Sequence, residues 1–149
     1  MSFESDTMEH KTRVSIILTK IAKDMISRGK IHDNSKFKSP ERDIYEMNHD
    51  KLSQARFGTE EYKKIQDEMS IAVNHHYQVN DHHPEHFQNG IVDMNLIQIQ
   101  EMLADILAVS MTKGTDVIKF LPDFMREKDI PENYYTILRN TLEYMKGLV

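Results

Sequence analysis

The chain has no cysteine and no tryptophan among its 149 residues, and only five glycines and four prolines. Without cysteine there are no disulfides, thiolate nucleophiles, cysteine-type zinc sites or iron–sulfur clusters. That composition fits a reducing compartment, and a cytoplasmic location is expected, in the host if the chain is phage-encoded. Scarce glycine and proline argue against linkers and low-complexity segments, and no internal repeat is visible. Long hydrophobic runs are missing too. The longest apolar stretch, Met102 to Met111, is interrupted by Asp105 and Ser110 and is far short of the roughly 20 residues a membrane span needs. The first residues, MSFESDTMEHK, are acidic and lack the basic-then-apolar order of a signal peptide. Positive charge is not in excess: 19 Lys and Arg face 24 Asp and Glu, a formal net charge of −5. Bulk nucleic-acid binding, which is driven by phosphate neutralisation, is therefore not expected.

What is present is helical periodicity. A length of 149 residues suits a single domain over 1–149 with a substantial core. A first helix is predicted from about Asp6 to Arg28, with Val14, Ile17, Leu18, Ile21 and Met25 as one buried face, His10 continuing it and Gly29 as the cap. Ser39-Pro40-Glu41 opens a second helix, with serine as cap. Thr59-Glu60-Glu61 opens a third, whose seam Tyr62, Ile65, Met69, Ala72 and Val73 continues onto His76. A cap at Asp93, with Val92 and Ile97 as a staple, starts a fourth helix through about Met111. Two more amphipathic stretches follow, near Asp116–Lys128 and from Pro131 to Met145. No period-two alternation appears. The expected class is all-α, one compact domain of five to six helices. Apolar residues on more than one face of the last stretch (Tyr134, Tyr135, Ile137, Leu138, Leu142, Tyr144 and Met145) leave room for a homo-oligomer.

Histidine is the unusual abundance: eight in all, five of them between His75 and His86. It is the commonest metal ligand. Three clusters bear on chemistry. His10 stands alone on the first helix; His32-Asp33-Asn34-Ser35-Lys36 follows that helix; and the run His75, His76, His82, His83, His86 precedes Glu101 and Asp105 on the fourth helix. Imidazole with carboxylate suits Mn, Fe, Co, Ni or Zn, in one or two ions, whereas Mg and Ca prefer oxygen alone. Each cluster also has a plain alternative: His10 as a core histidine, His32-Asp33 as a helix-end dipeptide, the histidine run as a solvated loop. The stripe Gln98, Glu101, Asp105 and Thr112 ordinarily faces water. No nucleophile elbow or Walker-type loop is present.

The order H…HD…D, with His32-Asp33-x-x-Lys36, resembles the HD-domain superfamily of metal-dependent phosphohydrolases, which are all-helical. The run HHYQVNDHHPEHF with the following EMLAD also resembles small phage and bacterial proteins of no established activity, over roughly His10 to Asp105. The superfamily resemblance implies His10, His32, Asp33 and Asp105 as ligands of a first metal. It implies His76 and one of His82, His83 or His86 for a second, as in its dinuclear branches; no glycine-rich motif of the cyclic-dinucleotide branch follows the histidines. On that reading the chain hydrolyses a nucleotide or related small phosphoester with a metal-activated water. Asp33 ligates the ion and aims the water. Lys36, aided by Arg13 or Arg42, neutralises phosphoryl charge, and Glu101 orients a ligand or serves as general acid. Two other classes are in view: a diiron oxygenase of the same superfamily, and a non-catalytic, metal-stapled binding module acting on a host protein.

Overall fold

The computed structural model describes residues 2–56 and 58–149. The all-α expectation holds, and no β-strand occurs among the described residues. Among the described residues, no helix is long and apolar enough to cross a membrane. The chain divides into two compact units, residues 1–32 and 33–149.

The first unit is one helix, α1 (Phe3–Ile31), capped by Ser2, whose side chain accepts from the Ser5 amide. Its acidic first turn (Glu4, Asp6) and basic last turn (Arg28, Lys30) complement the helix dipole. Two sequence expectations change here. Gly29 does not end the helix, which runs on to a C-cap at His32. The stripe Val14, Ile17, Leu18 and Ile21 is exposed, and α1 buries no residue. The spacing is that of a packed helix, but a lone helix holds no second layer within its own unit.

The second unit begins with a 3₁₀ turn, Asn34–Phe37, entered through Asp33 in the left-handed region at φ 57°. Then come α2 (Glu41–Gln54), α3 (Glu60–Glu68), α4 (Ser70–Val79), α5 (Leu96–Lys113), α6 (Val117–Glu127) and α7 (Tyr135–Lys146). Among the described residues there are seven α-helices rather than six, because the predicted third helix breaks at Met69, where φ −100° and ψ 13° leave the helical region. No glycine or proline marks that break. Met69 is nevertheless 1% exposed and packs with Ala55 and Ile65 against Ile44, Leu52 and Tyr62, so the kink keeps the seam buried while redirecting α4 toward α2.

The caps decide the remaining boundaries. Thr59 opens α3 as expected, its side chain accepting from the Tyr62 amide, and Asp116 caps α6, accepting from the Ile118 amide. Ser39 does not cap α2; the N-cap is Pro40, with no side-chain bond. The cap of α5 is Asn95 rather than Asp93, in a reciprocal capping box with Gln98. Asp93 instead closes a 3₁₀ turn, accepting from the Asn89 amide, and Val92 is exposed. Pro122 lies inside α6.

The main core joins α5, α6 and α7 through Met102, Leu103, Ile106, Leu121, Phe124, Leu138 and Leu142. Burying each such side chain contributes about 1.5–3 kcal/mol. α7 keeps Ile137 and Tyr144 exposed. This core fixes one face of α5, and α2 and α4 pack together on the smaller cluster; the site is assembled from residues that these two cores hold still.

Candidate metal centre

The histidine run is not one solvated loop. His75 and His76 sit in the last turns of α4, which ends at Val79 with Asn80 as C-cap. The chain then reverses, so that His82 and His83 return toward His76 before the 3₁₀ turn Pro84–His86. The buried seam that the third helix's periodicity aimed at His76 is observed: Ile65, Met69, Ala72 and His76 are all buried.

Asp33, His76, His82 and His83 each present one ligating atom, all within 4.8 Å of one another. Asp33 Oδ1 lies 3.3 Å from His76 Nε2 and 3.5 Å from His82 Nε2. His76 Nε2 lies 2.9 Å from His83 Nε2. Ligand atoms about 2.1 Å from a common ion stand roughly 3.0–3.4 Å apart, so these separations match the edges of a coordination polyhedron. His76 and His82 are 3% and 2% exposed.

The outward nitrogens of two of these rings meet carboxylates. His76 Nδ1 is 2.8 Å from Glu41 Oε2, and His82 Nδ1 is 3.4 Å from Glu101 Oε1. Histidine ligands to metals ordinarily give their second N–H to such a group, which fixes the tautomer. The polar stripe on α5 therefore does not face water at this point: Glu101 is buried, and Gln98 Nε2 donates to Asp81 Oδ2 at 2.8 Å.

Electrostatics follow the same layout. Burial pushes the Asp33 carboxyl upward, but contacts with His76 and His82 and the charge of Lys36 outweigh it and hold the group well below the usual carboxylate range. Lys36 Nζ donates to the other oxygen, Oδ2, at 2.6 Å, leaving Oδ1 to the imidazoles. Desolvation, with help from His82, His76 and Lys128, pushes His83 down to about 2, so its ring is neutral at physiological pH, the form that binds metal. Lys128, the residue that caps α6, donates to Tyr77 Oη at 3.1 Å and pairs with Glu85. Burial disfavours its charge, yet Tyr77 and Glu85 raise it above the ordinary lysine value. Tyr77 in turn packs on His83, ring centroids 5.0 Å apart.

The other predicted residues take different places. Asp105, half-buried on α5, has a carboxylate oxygen within 4.8 Å of a His82 nitrogen. His75 is half-exposed, with Nδ1 2.6 Å from Glu41 Oε1, and is not one of the four converging residues. Neither is His86, which is exposed, its Nδ1 3.0 Å from the Tyr77 carbonyl. His10 and Arg13 belong to α1, where His10 is exposed and Arg13 pairs with Glu9; His32 caps that helix, adjacent in sequence to Asp33. Arg42 lies 3.8 Å from Glu46.

Sequence reasoning missed Glu41, Ser35 and Asn80. Glu41 reads as an ordinary acid at a helix start, and its partners lie 34 and 35 residues away, beyond any local periodicity. Ser35 Oγ donates to Glu41 Oε2 at 2.9 Å, and Asn80 Nδ2 donates to Ser35 Oγ and to the His76 carbonyl, both at 2.8 Å.

One carboxylate oxygen and three imidazole nitrogens make a borderline donor set that fits Mn, Fe, Co, Ni or Zn rather than Mg or Ca. No curated protein and no solved structure matches the chain. Residues 1–144 match a family of unknown function, DUF5662, and the chain belongs to that family.

Proposed function

We propose that the protein is a metal-dependent hydrolase of small phosphoesters, nucleotides among them. The observation that carries this reading is the convergence of Asp33 Oδ1 with the inner nitrogens of His76, His82 and His83, with Lys36 beside the same carboxylate. A divalent ion held by these four residues would supply Lewis acidity, lowering the pKa of a coordinated water from about 15.7 toward about 7. The chain's own residues supply the rest. Asp33 is ionised across the working pH range and presents one oxygen to the centre. Lys36 keeps a cation at its edge, its side chain 40% exposed and so accessible to a phosphoryl oxygen. Preorganised charge of this kind is usually the largest catalytic term. Glu101 holds His82 in one orientation. The net charge of −5 does not oppose a small anionic substrate, because a local cation sets the field at the site.

The test is phosphate release from a panel of nucleotides and simple phosphomonoesters by protein loaded with Mn or Co. Release that disappears in Asp33→Asn while the protein stays folded is expected. A metal-loaded, folded protein inert toward the whole panel would overturn the reading.

A second reading has its own observation. Four protein ligands close a tetrahedral site, as structural zinc sites do, whereas catalytic zinc keeps a position open. On that reading the ion staples a binding module and no phosphoester is cleaved. Elemental analysis separates the two: one zinc per chain, with no turnover, favours the staple.

A further inference from the structure

We infer that Glu41 is a positioning residue for the metal centre, a buried clamp that holds His76 with its inner nitrogen bare and ties the Asp33 turn to α4. This inference rests on the metal-binding reading above.

Glu41 is 0% exposed, and an ionised carboxylate stripped of water is costly unless its oxygens are well bonded. Both are. Oε1 lies 2.6 Å from His75 Nδ1, and Oε2 lies 2.8 Å from His76 Nδ1 and 2.9 Å from Ser35 Oγ. A carboxylate only accepts, so each facing Nδ1 must carry its hydrogen. For a neutral His76 this places the lone pair on Nε2, the atom facing Asp33 Oδ1 and His83 Nε2. Tautomer selection thus follows from the acceptor, as in the carboxylate–histidine–metal arrangement.

The same side chain reaches the second ligand through Ser35. That serine is in the 3₁₀ turn entered by Asp33, and its hydroxyl donates to Glu41 while accepting from Asn80, the C-cap of α4. One carboxylate at the start of α2 therefore fixes the turn bearing Asp33 and the helix bearing His76. Its place at the helix N-terminus favours the negative charge. A purely space-filling role would not need both oxygens aimed at ring nitrogens and a hydroxyl.

The experiment is Co(II) binding to the purified full chain, followed by calorimetry and by visible absorption at saturating metal, with circular dichroism as the folding control. Glu41→Gln keeps shape but offers one amide oxygen where two were bonded. Co(II) affinity about 10–100-fold weaker than wild type, with a shifted absorption band at saturation, is expected; a merely structural role would leave that band in place. Glu41→Gln with wild-type affinity and spectrum overturns the role of Glu41 and leaves the metal reading standing. No Co(II) uptake by the wild type overturns the metal reading and this inference with it. If Glu41→Gln does not fold, Ser35→Ala carries the test: it removes the tie to the Asp33 turn, so weakened Co(II) binding supports the clamp and unchanged binding overturns it.

Discussion

His76 and His83 bring their Nε2 atoms to 2.9 Å from each other, close enough that the two nitrogens share at most one proton. For a neutral His76 whose Nδ1 donates to Glu41, Nε2 is an acceptor, and the pair is satisfied either by a hydrogen on His83 or by a cation between the rings. A cation that binds the folded chain alone stabilises it by about 2.7 kcal/mol at a hundredfold excess over its dissociation constant. For a chain of this size that raises the melting temperature by roughly 5–10 °C. Thermal melts with and without Co(II) or Mn(II) should show this rise. EDTA should reverse it, and His83→Gln should reduce it sharply. Equal melting temperatures under all conditions would remove the ion from the account.

Asp33 and Lys36 make a second, separable prediction. Asp33 occupies the left-handed region at φ 57°, which asparagine tolerates nearly as well as aspartate, so Asp33→Asn removes charge without forcing the turn. Metal affinity and phosphate release should both fall. Lys36→Met removes the cation at Oδ2 and leaves the inner oxygen with the imidazoles. It should keep metal affinity within a few-fold while kcat/KM for phosphoesters falls about 100-fold, the scale of one lost charge-stabilising donor. Loss of metal binding in Lys36→Met would show that the lysine serves the fold of the turn instead.

Much of this was legible from spacing. The seam Ile65, Met69, Ala72 predicted an inward His76, and Thr59 and Asp116 announced their helices, because a cap is a local bond between near neighbours. Other features were hidden for physical reasons. Nothing near Met69 signals a break, since the kink is held by packing against Ala55 and Ile65. The stripe containing Gln98 and Glu101 has the period of a solvated face and only its destination differs: carboxylates that bind histidines and carboxylates that bind water look alike in sequence. The stripe on α1 shows the converse, apolar spacing without burial. Glu41 depends on contacts more than thirty residues distant, which no periodicity carries.

The packing of the second unit predicts where stability resides. Leu142 is fully buried, on α7 within the core shared with α5 and α6. Leu142→Ala removes its transfer energy and leaves a cavity, and should destabilise the chain by about 2–5 kcal/mol, read as a lower urea midpoint at unchanged slope. Ile137→Ala, on the exposed side of the same helix, should cost within about 0.5 kcal/mol. Equal effects would mean that the outer face of α7 is also covered in solution.

The pH dependence of the metal-free protein isolates His83. Its folded ring is pushed down to about 2 from an ordinary 6.5, by desolvation first and by His82 and His76 next. Between those values the unfolded chain binds a proton that the folded chain refuses. Stability therefore rises with pH, is complete above about 6.5, and declines as pH falls toward about 2. Asp33 works in the same direction, its folded value lying below its ordinary 3.8, but only where unfolded aspartate begins to protonate, well under pH 5. From pH 7.5 to 5.5 the His83 contribution alone should cost about 1.4 kcal/mol. Urea unfolding in EDTA at these two pH values measures it. His83→Gln should remove that loss, and a wild-type midpoint indifferent to pH over this interval would show that the ring accepts its proton while folded.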